Sequence, residues 1–153
     1  MTNNNSSTSC EVLHNHFASL LEFDTHNVLS RLAVSSRAKG ERLFAAGDEA
    51  GSLYFVVKGC FAVHKPVGIG NRSQAVALLS VGAMAGEASL LADRRRGATM
   101  VAVEDSEVLE LPRDTLGEIE LENPQLYIAL LKRTLGVVSQ RLQKSSERLA
   151  LIL

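Results

Sequence analysis

Residues Gly86–Thr99 read GEASLLADRRRGAT, a stretch that combines a carboxylate, small residues and a run of arginines. If its start is a loop that enters one helical turn, the backbone N–H groups there point at a common position and stabilise an anion. Arg96 can add two parallel charge-assisted hydrogen bonds to phosphate oxygens, which a lysine cannot give. Glu87, when ionised, can accept a hydrogen bond from a ribose 2′-hydroxyl. The stretch therefore suits a cyclic phosphate on a ribose.

The same stretch resembles the phosphate-binding cassette of the cyclic nucleotide-binding domain family. That cassette reads Gly-Glu-x-Ala/Ser-Leu, then a variable loop, then Arg-x-Ala-Thr/Ser. Of the three consecutive arginines, only Arg96 is followed by small residues and threonine at the family's spacing, so Arg94 and Arg95 are expected to be solvated. A surface loop with a run of arginines is the alternative interpretation. The positions that match the cassette are Gly86, Glu87, Ser89, Leu90, Arg96, Ala98 and Thr99.

Short apolar and β-branched segments on both sides of the cassette predict strands. Turn-forming residues separate them, among them Lys58-Gly59 and the segment 104–106. Many short strands at close spacing favour a jelly-roll over a parallel sheet with crossover helices. We therefore expect a mainly β fold with flanking helices, a double-stranded β-helix or jelly-roll β-barrel. Residues 40–48 resemble the family's first strand followed by its Gly-Asp turn, and the other predicted strands are 53–57, 60–64, 75–81, 99–103 and 107–111.

Apolar residues at helical spacing flank the strands. Residues 11–21 and 25–34 show this spacing, with Asp24 as a candidate N-cap of the second segment. A short helix is predicted over 114–119, and Asn123-Pro124 opens a long final helix. This order resembles that of the whole family domain. The predicted organisation is a disordered tail over 1–10 and a cyclic nucleotide-binding domain over 11–153, with N-terminal helices at 11–39, a β-roll at 40–112 and C-terminal helices at 113–153.

The last helix predicts a homodimer, because its apolar residues alternate at spacings of four and three, a heptad seam suited to a two-stranded coiled coil. Residues 141–149 resemble the dimer helix of bacterial catabolite activator proteins, in which a hydroxyl pair contacts the adenine amino group. The resemblance implies that Ser145 and Ser146 have this role, within one subunit or across the dimer. Ser145 could instead only fix the coiled-coil register. The seam comprises Leu131, Leu135, Val138, Leu142, Ser145, Leu149 and Ile152.

Cyclic AMP is the favoured ligand. Relatives selective for cyclic GMP often carry threonine directly after the cassette arginine, whereas Gly97 has no hydroxyl. Leu79 and Met84 are candidate apolar walls for the purine, although both could be ordinary core residues. No cofactor or metal is expected. The implied ligand-binding residues are Gly86, Glu87, Ala88, Ser89, Arg96, Gly97, Ala98, Thr99, Ser145, Ser146, Leu79 and Met84.

Composition limits the partners and the location. Sixteen basic and 17 acidic residues give a formal charge of −1, which offers no electrostatic footprint for nucleic acid. In catabolite activators a helix-turn-helix domain follows the dimer helix, and this sequence ends at Leu153, so we expect no direct DNA binding. The polar start favours a complete short protein. No apolar run approaches the roughly 20 residues of a membrane helix and no signal peptide is evident, so a cytoplasmic location is expected.

Two functions of different class remain. The first is a cyclic AMP receptor that signals through a partner protein by rearrangement of its last helix, and Glu87 and Arg96 favour it. The second is a dimeric scaffold with an idle pocket, favoured by Ala85, where the family commonly has an aromatic residue. A metal-dependent enzyme is not expected, because His14 and His16 precede every predicted strand. Cys10 and Cys60 are expected to be free thiols.

Overall fold

The computed structural model describes residues 31–91 and 94–153. Within these ranges the chain forms eight strands, one short 3-10 helix (η1) and two α-helices. The strands are β1 (Ala33–Arg37), β2 (Arg42–Phe44), β3 (Ser52–Lys58), β4 (Cys60–Pro66), β5 (Ser73–Ser80), β6 (Met84–Ala85), β7 (Thr99–Ala102) and β8 (Ser106–Pro112). The helices are η1 (Glu87–Leu90), α1 (Arg113–Glu122) and α2 (Pro124–Ile152).

The strands form two four-stranded sheets in which all pairs are antiparallel. One sheet has the order β1-β8-β3-β6, and the other has the order β2-β7-β4-β5. The prediction of a mainly β, jelly-roll type of fold with a long C-terminal helix is therefore confirmed.

Strand β3 is buried on both faces, which explains its continuous apolar sequence. Tyr54 and Val56 point between the two sheets and pack with Phe61 and Met100. The alternate side chains of β3 belong to a second cluster on the outer face of the sheet, where α1 and α2 cover it. Helices α1 and α2 are therefore packed against the sheet that contains β6, the strand directly before the cassette. The second cluster includes Leu53, Phe55, Val57, Met84, Leu109, Leu111, Leu116, Ile119, Leu126 and Leu130.

The turn between β3 and β4 requires glycine, as the sequence predicted. Gly59 has a φ of 80°, and a Cβ on it would lie 2.2 Å from Ser106 Oγ. The same hydroxyl accepts a hydrogen bond from the Cys60 N–H at 3.0 Å. No L side chain fits this position without displacing the neighbouring turn before β8.

Helix α2 begins as the sequence predicted. Pro124 occupies its first turn, and the Asn123 side chain caps it by accepting a hydrogen bond from the Leu126 N–H at 3.2 Å. Helix α1 is four residues longer than the predicted 114–119 helix.

Neither α-helix within the described ranges combines the length and hydropathy that a membrane span requires.

Most predicted strands agree with β3, β4, β5, β7 and β8 to within two residues at either end. Within 40–48, the expected first strand and its turn, Arg42–Phe44 forms β2 and pairs with β7, and a turn follows at residues 46–47. The two-residue strand β6 was not predicted, because its conformation follows from pairing with Tyr54 and Phe55 and not from its own sequence.

One assignment near the N-terminus is wrong. Residues 33–37 form β1, although helix was predicted to Val34 and N-terminal helices to residue 39. Pairing of all of β1 with β8, from Glu110 to Ser106, overrides the helical spacing in this segment. The predicted tail, and the predicted helices up to residue 30 with Asp24, lie outside the described residues.

Candidate functional site

Arg96 is held in a buried position between aromatic rings and backbone. Its side chain is only 5% exposed, and its Nη2 donates a 2.7 Å hydrogen bond to the Ser52 carbonyl. The guanidinium carbon lies 4.2 Å from the centre of the Phe44 ring and 5.6 Å from that of Tyr54. These contacts are of the cation–π type, and they fix the plane of the guanidinium.

The remaining donors of Arg96 are not satisfied by the described part of the chain. Its Nε and Nη1 are buried and have no hydrogen-bond partner among residues 31–91 and 94–153. Burial lowers the pKa of the guanidinium, while the charges of Tyr54 and Glu87 act in the opposite direction. Buried donors on a charged group are costly unless an acceptor meets them. An oxyanion such as phosphate has the charge and the acceptors that fit this arrangement.

Gly86 makes room for the guanidinium. It has a φ of 78°, and a Cβ on it would lie 2.6 Å from Arg96 Nη1 and 2.7 Å from the Ser52 carbonyl oxygen. Helix η1 begins immediately afterwards, and the Ser89 N–H donates to the Gly86 carbonyl at 3.0 Å. The first glycine of the cassette is therefore required both by the backbone conformation and by the close approach of Arg96.

A cleft of about 540 Å³ opens above Arg96, between the β-roll and the C-terminal half of α2. Leu79 lines its β5 side, and Ser145 lines its α2 side. The volume is in the range typical of small-molecule sites. Six of the predicted residues of the cassette line the cleft, namely Gly86, Glu87, Ala88, Arg96, Gly97 and Ala98.

Four predicted site residues do not line the cleft. Met84, a candidate apolar wall for the purine, does not have this position. The two side chains of β6 face opposite sides, Met84 toward the helices and Ala85 toward the space between the sheets. The Met84 sulfur lies 3.4 Å from the Thr134 hydroxyl in that outer cluster. Ser146 is exposed on α2, one residue past the side chain that reaches the cleft.

The other two residues support the cassette from behind. The Thr99 hydroxyl oxygen accepts a hydrogen bond from the Ala46 N–H at 2.9 Å, which ties the end of the cassette to the loop after β2. Ser89 is 2% exposed, and its hydroxyl has no partner among the described residues. Of the three consecutive arginines, Arg94 and Arg95 are exposed, and Arg95 lies 3.7 Å from Glu49.

Arg141 on α2 is a site residue that the sequence reasoning missed. Its Nη1 lies 3.7 Å from Glu87 Oε2, and its Nη2 donates a short hydrogen bond to the Met84 carbonyl. It precedes Ser145 by four residues and therefore shares a helix face with it, which is the signal that predicts it. The candidate ribose-binding carboxylate is thus linked directly to the C-terminal helix.

The aromatic pair was also missed. The Phe44 and Tyr54 rings are stacked with centres 5.9 Å apart, and both contact Arg96. Ala85, where the family commonly has an aromatic residue, belongs to the same buried cluster as Tyr54, and Phe44 packs against that cluster. They come from different sheets, so no local sequence pattern brings them together.

No group of three or more His, Cys, Asp or Glu side chains in the described part of the chain is arranged to hold a metal ion. Cys60 is a free thiol, while Cys10, His14 and His16 lie outside the described residues.

The sequence model of the cyclic nucleotide-binding domain family matches residues 35–123, which is more than half of the 153-residue chain. The match contains the cassette, both aromatic residues and all strands from β2 to β8. The chain belongs to this family.

Two relatives show how the domain is used elsewhere. The chain is 36% identical over 98 residues to the cyclic AMP receptor protein of Thermus thermophilus, covering 62% of this chain and 38% of that protein. It is 27% identical over 138 residues to glutaminase 2 of Bradyrhizobium diazoefficiens, covering 88% of this chain and 21% of that protein. The chain spans less than half the length of either relative.

Solved structures agree with the fold. The Thermus thermophilus catabolite activator protein superposes with a TM-score of 0.71 at 26% identity, covering 92% of this chain and 62% of that chain. The N-terminal domain of a transcriptional regulator from Streptomyces coelicolor also gives a TM-score of 0.71, at 28% identity, covering 89% of this chain and 95% of that chain.

Gly86→Ala is expected to lower the free energy of unfolding by about 2 kcal/mol more than Gly40→Ala does. Gly40 is a matched control, because it also has a positive φ, 88°, but a Cβ on it meets no atom within 4 Å. The difference therefore reports the crowding of the added Cβ against Arg96 and the Ser52 carbonyl. Chemical denaturation of the two variants measures it, and equal losses would contradict the close packing of Gly86 against the guanidinium.

Proposed function

We propose that this chain is a cyclic AMP sensor module in which the ligand repositions α2 and an effector protein reads the change. The observation that carries the proposal is the buried guanidinium of Arg96, whose Nε and Nη1 have no partner among the described residues. A cyclic phosphate supplies the acceptors, and Glu87 on the same cleft accepts from the ribose 2′-hydroxyl. Arg96 therefore matches the phosphate of a ribose cyclic phosphate, and Glu87 matches its 2′-hydroxyl.

The adenine base is favoured by the walls of the cleft. Gly97 offers no hydroxyl to a guanine, Leu79 offers an apolar surface, and Ser145 offers a hydroxyl that can accept from the adenine amino group. The name of the Thermus thermophilus relative, a cyclic AMP receptor protein, supports the same choice. In this proposal Thr99 and Ser89 shape the cassette without lining the cleft. Ser146 acts on the ligand bound to the other subunit of a dimer.

Arg141 provides the route from ligand to helix. Its guanidinium joins Glu87 to α2, so a ribose hydroxyl that engages Glu87 changes a contact of the helix. Helix α2 then moves to a position that closes over the base. The size of this population shift is limited by the difference in the ligand's affinity for the two helix positions.

The apolar seam of α2 supports a homodimer. Leu135 is 66% exposed and Leu142 is 67% exposed, and the other apolar seam residues are exposed on the same stripe. A second copy of α2 buries this stripe in a parallel coiled coil. In the proposal this dimer is cytoplasmic. Its effector is a protein and not DNA, because a formal charge of −1 per chain offers no electrostatic footprint for nucleic acid.

Titration calorimetry tests the ligand assignment. The chain should bind cyclic AMP saturably and more tightly than cyclic GMP, and Arg96→Ala should weaken cyclic AMP binding at least about a hundredfold, because the buried cation and its charge-assisted hydrogen bonding to the phosphate are lost. Arg94→Ala is the matched control, since Arg94 belongs to the same run of arginines but is exposed. Absence of binding at millimolar cyclic AMP would instead leave a dimeric scaffold with an idle pocket.

Hydrogen exchange tests the helix rearrangement. Amides of residues 125–150 should exchange more slowly in the presence of saturating cyclic AMP, because closure of α2 over the base restricts its opening. The Arg96→Ala chain at the same cyclic AMP concentration serves as the control and should show no slowing. Saturable binding with unchanged exchange in this segment would contradict the mechanism and leave the ligand assignment intact.

Sedimentation or light scattering tests the dimer. Leu135→Lys combined with Leu142→Lys should convert the dimer to a monomer, because it places charges in the seam. Leu121→Lys is the matched control, as Leu121 is 85% exposed on α1, away from the seam. A wild-type chain that is monomeric at the same concentration would refute the coiled-coil assignment.

A further inference from the structure

We propose that Lys65 is a second phosphate-binding residue of the cleft and contacts the exocyclic phosphate oxygen that Arg96 does not take. This inference rests on the proposed function, since it concerns the ligand of the same site. It assigns a role to a residue that lies outside the cassette, on strand β4.

Strand periodicity directs Lys65 into the cleft. Phe61, Val63 and Lys65 alternate along β4 and therefore share one face. Phe61 on this face is completely buried, and Val63 and Lys65 both line the cleft. A cation thus occupies the third position of an otherwise apolar inward face.

The pairing of β4 with β7 sets where the lysine reaches. His64 pairs with Thr99, so Lys65 lies opposite the residues that lead from Arg96 into β7. Its Nζ is 3.4 Å from the position that a Cβ on Gly97 would occupy. The ammonium group therefore lies beside the backbone of the residue that directly follows Arg96.

The charge of Lys65 is available to a ligand. The side chain is exposed, and it forms no ion pair with any residue in 31–91 or 94–153. Glu87, the carboxylate on the cleft wall, is paired with Arg141. Lys65 is thus hydrated and can exchange water for a phosphate oxygen at small cost, unlike the desolvated Arg96.

A cyclic phosphate diester has two exocyclic oxygens that share one negative charge. The guanidinium of Arg96 is held at the floor of the cleft by Ser52 and Phe44, and its Nε and Nη1 are the donors without a partner among the described residues. The ammonium of Lys65 approaches from the β4 side. Each cation can take one oxygen, which orients the phosphate as well as neutralising it.

Calorimetric titration with cyclic AMP tests the role of Lys65. Lys65→Met should raise the Kd about tenfold through loss of one charge-assisted hydrogen bond, and Lys65→Arg should restore most of the affinity. Lys58→Met is the matched control, because Lys58 is also an exposed strand lysine but does not line the cleft. All variants should keep the wild-type unfolding midpoint.

The two phosphorothioate diastereomers of cyclic AMP test the contact itself. Sulfur at one exocyclic position weakens the hydrogen bond to that position, so the ratio of the two Kd values depends on which cation faces which oxygen. Lys65→Met should change this ratio, and Lys58→Met should leave it at the wild-type value. An unchanged ratio in Lys65→Met would overturn a direct contact.

The outcomes separate this inference from the proposed function. A wild-type chain that binds no cyclic AMP would refute the proposed function, and this inference with it. A wild-type chain that binds cyclic AMP as proposed, together with Lys65→Met affinity equal to that of Lys58→Met, would overturn the role of Lys65 alone.

Discussion

Burial of the Arg96 guanidinium is the constraint on which the rest of the site depends. Removing a full charge from water is expensive, and the fold offsets only part of that cost with one carbonyl and two aromatic faces. These contacts come from two strands, Phe44 on β2 and Ser52 and Tyr54 on β3, and Gly86 must lack a side chain for them to form. The residual cost, two buried donors without a described partner, is the physical reason that an anion is favoured there.

Strand β6 connects this buried charge to the helices. Its two residues face opposite sides, so Ala85 packs between the sheets near Arg96 and Met84 packs under α2. The Met84 carbonyl also accepts from Arg141, which holds Glu87. In the proposed mechanism, a change at the Glu87 carboxylate would reach α2 through Arg141 and this two-residue strand.

The sequence predicted those parts of the fold that depend on local signals. The boundaries of β3, β4, β5, β7 and β8 to within two residues, the Gly59 turn and the Asn123-Pro124 start of α2 follow from residue type and spacing. Strands β1 and β6 do not, because pairing with β8 and β3 decides their conformation.

The cassette residues are contiguous in the sequence, so their common place at the cleft could be predicted. Phe44, Lys65 and Arg141 are brought to the site by the fold, and only Arg141 carried a usable helical signal. Met84 was misplaced because the alternation of an unpredicted strand decides its direction.

The central claim is that cyclic AMP binds by satisfying the free donors of Arg96. The most direct measurement is the ¹⁵N-resolved NMR signal of the Arg96 Nε–H, identified by its loss in Arg96→Lys and followed during titration with cyclic AMP. The account predicts that the signal moves downfield and that its proton exchanges more slowly with water once the ligand is bound. A signal that stays at its original position and exchange rate while cyclic AMP saturates the chain would contradict the account.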